Sequence, residues 1–72
     1  MTLDDLHMGK SGVILTVGGE GALRRRLLDM GLTPKTHVFV RKVAPLGDPM
    51  ELTVRNYELS VRKADAEMIE VV

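Results

Sequence analysis

The stretch MELTVRNYELSVR, Met50 to Arg62, holds two runs of alternating apolar and polar residues about one short break. Successive side chains of a strand face opposite sides of a sheet. Leu52 and Val54 therefore point one way in the first run, and Tyr57, Leu59 and Val61 point the same way in the second, across a tight turn at Asn56. This pattern predicts an antiparallel hairpin with one wet face. Beyond it, Lys63 to Ala66 reads as one short turn and Glu67 to Val72 as a final strand.

Toward the N-terminus, APLGDPM (Ala44 to Met50) places two prolines and a glycine within five residues, which no central strand accommodates. A structured hairpin loop is expected there. Before it, Thr36 to Val43 reads as a strand entered from a turn at Thr33-Pro34-Lys35. One helix precedes that turn. Leu23, Leu27 and Met30 recur at i, i+4 and i+7, Gly31 is placed to end the helix in a left-handed conformation, and Leu32 would fold back on its last turn. Gly12 to Val17 is rich in β-branched residues and stops at Gly18-Gly19, the mark of a first strand. Near the start, Leu3 and Leu6 are spaced to pack on one side of a brief turn.

Strand, helix, then four strands, in one domain over residues 1–72, predicts a mainly β fold. The expected architecture is a small SH3-like barrel of about five strands with one short α-helix inserted after the first strand, since closure removes edges that invite aggregation. A split α+β sheet is the alternative. The chain has 72 residues and a hydrophobic fraction of 44%, so one small core must suffice. With no cysteine, no disulfide reinforces that core, and a reducing compartment fits. Met1 to Asp5 is acidic where a secretory signal would be basic, and no apolar run approaches the ~20 residues that cross a bilayer. The expectation is a soluble cytoplasmic protein without direct membrane insertion.

The net charge is zero, but residues 24 to 63 carry nine Lys and Arg against four acids, a local excess of five. Dedicated nucleic-acid domains usually have a high pI for the whole domain, and here it is about 6.7. Base stacking needs aromatic side chains, and the chain has only Phe39 and Tyr57. No specific nucleic-acid partner is expected. APLGDPM has one glycine, two prolines that lack donors and a strand after it, so it does not cradle phosphate as a P-loop would. His7 and His37 stand thirty residues apart without carboxylates at ligand spacing, Asp4, Asp5 and His7 read as a solvated terminus, and the five scattered methionines read as core filling. No metal site, cofactor or catalytic group is expected: Ser11 and Ser60 lie in no nucleophile motif.

From Leu23 to Ala66 the chain resembles the FeoA family of small proteins from bacterial ferrous iron uptake. The resemblance rests on Leu27-Leu28-Asp29-Met30-Gly31-Leu32-Thr33-Pro34, on Val43 to Pro49, and on Tyr57 to Lys63 with Asp65-Ala66. The APLGDP neighbourhood is its most specific part. It implies an SH3-like barrel with a helix on its side, no catalytic activity, and action through FeoB, the membrane iron transporter whose cytoplasmic part is a GTPase. Two positions depart from the family pattern, Lys35 and Asn56 standing where glycine is frequent. Asn56 tolerates positive φ, whereas Lys35 either costs about 1 kcal/mol in a left-handed conformation or shifts its turn to type I.

On a helical wheel of about 100° per residue, Leu23, Leu27 and Met30 form the buried stripe, flanked by Arg26. Arg24, Leu28 and Arg25 fall on the opposite side, which predicts one exposed leucine between two guanidinium groups. With the resemblance, the expected FeoB-binding surface comprises Arg24, Arg25, Leu27 and Leu28 of the helix with Pro45, Leu46, Gly47, Asp48 and Pro49 of the loop. Leu27 is its ambiguous member, because its stripe position points to the core. A second reading is a regulatory module related to the last domain of DtxR-type iron-dependent repressors, acting on another protein or weakly on nucleic acid. Weak self-association is compatible with either.

Overall fold

A computed structural model describes residues 1–72. A short 3-10 helix (Leu3–Asp5) leads into β1 (Ser11–Val17), α1 (Gly21–Asp29), β2 (His37–Val43), β3 (Met50–Val54), β4 (Tyr57–Val61), α2 (Lys63–Ala66) and β5 (Ile69–Val71). The predicted hairpin is β3 and β4, paired antiparallel with Met50 opposite Val61, Leu52 opposite Leu59 and Val54 opposite Tyr57. Its turn holds two residues, Arg55 and Asn56, both at positive φ (48° and 70°). Two-residue turns of this kind match the right-handed twist of the strands they join.

All pairings are antiparallel and the sheet order is β4-β3-β2-β1-β5. β1 is the corner of the fold. Its first half, Ser11 to Val13, pairs with β2, and its second half, Ile14 to Val17, pairs with β5. Register shifts between Ile14 and Thr16 and between Val40 and Lys42 add the local bend that lets a narrow sheet curl round one core. Leu3, Ile14, Leu27, Val40, Leu52 and Ile69 are among its fully buried side chains.

α1 ends as the sequence predicts. Gly31 sits at φ 99°, its N–H donates to Leu28 O (3.0 Å), and the Leu32 N–H donates to Leu27 O (3.2 Å). These are the paired bonds of a Schellman cap, and the apolar residues that accompany it, Leu27 and Leu32, are both fully buried.

Five expectations change. Lys63 to Ala66 is a helical turn, α2, rather than a simple turn, and β5 shrinks to three residues. Strand pairing does not close the ring, because β4 and β5 are both edges of the ladder. The outer side of β5 is covered instead by the start of the chain: Val71 N–H donates to Met1 O (2.7 Å) and Thr2 bridges to Glu70. Tyr57 keeps the core-facing register but is 41% exposed, since at the end of an edge strand its ring reaches past the core to hydrogen-bond the Met30 carbonyl at the end of α1. Of the methionines only Met50 is buried; Met1, Met8 and Met68 are exposed, so core filling describes one of five, with Met30 packed against the core from its edge.

Candidate partner-binding surface

The three consecutive arginines of α1 have three different surroundings. The Arg24 Nε donates to Val17 O at 3.2 Å, which lays this side chain back along the end of β1. Arg26 reaches α2, where one guanidinium nitrogen lies 3.1 Å from both carboxylate oxygens of Asp65. Arg25 is exposed and has neither hydrogen bond nor ion pair. A contiguous sequence motif is thus split by the helical turn into a tether, a bridge and one free cation.

The leucines beside them correct the expected interface. Leu27 is fully buried, a member of the core and not of any surface. Leu28 is half-buried and packs against the core, contrary to the exposed anchor that the wheel predicts. The wheel assumes one wet side, but the chain leaves α1 through the Schellman cap and returns beneath its last turn, so the core reaches further round the helix there.

The loop between β2 and β3 supplies what the helix lacks. Leu46 is 90% exposed at its tip, the most exposed large apolar side chain of the molecule. The loop is held rather than loose: Gly47 N–H donates to Ala44 O (2.7 Å), Ala44 N–H donates to Pro49 O (3.1 Å), and Gly47 adopts φ 79°. Pro45, Asp48 and Pro49 are exposed beside it, and Asp48 Oδ1 accepts the Lys63 N–H at 3.0 Å. α2 is therefore bonded on one side to the loop, through Lys63, and on the other to α1, through Asp65. That link was absent from the sequence reading, because four residues without apolar periodicity carry no helix signal.

A second surface lies at the far end of β2. Pro34, Lys35, Thr36, His37 and Arg55 line a shallow open cleft. Thr36 N–H donates to Thr33 O (3.2 Å) and Lys35 sits at φ 73°, so the Pro-led turn is type II with its lysine left-handed.

At the N-terminus, Thr2 bonds both acids that precede His7. Its N–H donates to Asp5 Oδ2 at 3.1 Å and its hydroxyl bonds Asp4. No three of the His, Asp and Glu side chains come together as a metal-binding group. No helix is long and apolar enough to cross a membrane.

The model of the FeoA domain matches residues 1–72, the whole chain. The chain belongs to the FeoA domain family. A fusion protein of Porphyromonas gingivalis, Fe(2+) transport protein A joined to the Fe(2+) transporter FeoB, is 41% identical over 71 residues; these cover 99% of this chain and only 8% of the fusion. Among solved structures, a FeoA-like protein from Clostridium acetobutylicum is 32% identical and superposes with a TM-score of 0.92, covering all of this chain and 84% of its own. FeoA of Stenotrophomonas maltophilia, described as an SH3 domain protein and crystallised with zinc, is 26% identical with a TM-score of 0.86, over all of this chain and 89% of its own. The FeoA fold is thus SH3-like, as the strand pattern predicts. A manganese-dependent transcriptional repressor, 14% identical, superposes at a TM-score of 0.89 over all of this FeoA domain and 40% of the repressor, a likeness of fold alone.

Proposed function

We propose that this chain is a non-catalytic accessory protein of ferrous iron uptake that works in the cytoplasm by binding the GTPase region of FeoB, and reaches the inner face of the membrane through that partner. The observation that carries the proposal is the Porphyromonas protein, in which a domain 41% identical to this one shares a chain with FeoB. Covalent linkage of two modules supplies the high effective concentration that separate chains must replace with affinity. A surface for such affinity is available in the Pro45–Pro49 loop. Leu46 is its anchor, the loop bonds hold it so that little ordering is lost on docking, and α2 joins the loop to α1, whose Arg24 and Arg25 are exposed.

The experiment is an NMR titration of the isotope-labelled protein with the soluble GTPase part of FeoB, first nucleotide-free and then with GTP. Shifts gathered on Pro45 to Met50 and on Arg24 and Arg25 are expected, and Leu46→Glu should abolish them. The absence of shifts in both nucleotide states would end the GTPase-region reading.

A further inference from the structure

We infer that the cleft between the Pro34-Lys35 turn and the β3–β4 hairpin turn is a binding site for a phosphate group, a function independent of the partner surface above. Its lining holds two cations and no carboxylate: Lys35 and Arg55 flank it with Pro34, Thr36 and His37. Arg26 is paired with Asp65 and Arg41 with Glu58, and neither Lys35 nor Arg55 takes part in an ion pair. Two of the nine basic residues between positions 24 and 63 thus meet in one cleft with no acid beside them.

The arginine is also fixed in place. Its Nη2 donates to the hydroxyls of Thr33 (2.9 Å) and Thr36 (3.1 Å), which are themselves 2.8 Å apart, and Thr36 is buried. The Nη1 and Nε groups have no protein acceptor, so a guanidinium of fixed position keeps donors for a ligand. A planar guanidinium with free N–H groups beside a mobile ammonium suits a multiply charged oxyanion better than a single carboxylate, because several oxygens accept at once. Backbone conformation adds an independent observation. Lys35 (φ 73°) and Arg55 (φ 48°) are both left-handed, a region that glycine or asparagine occupies with less strain. Two long cations stand at strained turn positions, and both line the same cleft.

The probe is inorganic phosphate, titrated into the labelled protein at constant ionic strength with chloride as the replaced anion. Saturable shifts at Thr33 to His37 and at Arg55 and Asn56 are expected, with chloride alone giving none. Lys35→Gly removes one cation while suiting the left-handed turn, so it should remain folded, with phosphate affinity weaker by about threefold or more. Arg55→Asn, which also accepts positive φ, should weaken it further. Chloride shifting the same residues equally, no saturation, or unchanged affinity in a folded Lys35→Gly variant would overturn the assignment. Acetate binding there in place of phosphate would assign the cleft to a carboxylate and overturn it as well.

Discussion

Gly31 concentrates more constraints than any other single residue. It ends α1 at φ 99°, and a Cβ built on it would collide with the Tyr57 hydroxyl, which bonds the neighbouring Met30 carbonyl. Left-handed strain and overpacking then act together, so Gly31→Ala should destabilise the fold by about 2–4 kcal/mol in urea unfolding. A loss of only about 1–2 kcal/mol, the left-handed cost alone, would show that Tyr57 swings clear, which its place at an exposed sheet edge allows only if the Met30 bond is dispensable. Two leucines make the complementary comparison. Leu46→Glu should shift stability by no more than about 0.5 kcal/mol, because its side chain is almost wholly in water, whereas Leu28→Glu should cost about 1–3 kcal/mol by bringing a carboxylate against the core. Equal stabilities for the two variants would contradict the half-buried placement of Leu28.

Among the elements, α2 is too short to stand alone and is kept by its neighbours. Four residues form barely one turn, so its persistence depends on the Asp48 carboxylate at its first N–H, on the Arg26–Asp65 pair, and on the burial of Ala66. Asp48→Ala should cost about 1 kcal/mol and speed amide hydrogen exchange at Lys63. Unchanged exchange would mean that the Arg26–Asp65 pair and the packing of Ala66 hold the turn without it. The same element explains where sequence and structure part. β1 to β4 and α1 could be read along the chain, because each has its own period and its own turn residues at its ends. α2 could not, because the bonds that make it come from Asp48 and Arg26, fifteen and thirty-nine residues from their partners. The site was legible to a similar degree: the loop was recognisable from its prolines and glycine, but the exposure of Leu28 depended on where the chain returns after Gly31, which a helical wheel cannot contain. The cleft of Lys35 and Arg55 left one sequence trace, a lysine at a turn position that favours glycine.

At the scale of the whole molecule, one small core serves every strand, and the order β4-β3-β2-β1-β5 divides the pairings by distance along the chain. β2, β3 and β4 follow one another as a meander, whereas β1 meets β5 with more than fifty residues between their paired positions, as at Ile14 and Val71. Loop-closure entropy is small for the first set and must be met in full for the second. The expected route to the native state therefore begins in the meander and ends when β5 joins β1. Leu52→Ala should mainly slow refolding, and Ile69→Ala, also fully buried, should mainly accelerate unfolding. Stopped-flow chevrons of the two variants check this, and a refolding rate reduced equally by both would place β5 in the transition state. If β5 does dock last, the strand that completes the sheet is also the first to leave it, and the half-life of the folded protein is set by three residues at its edge.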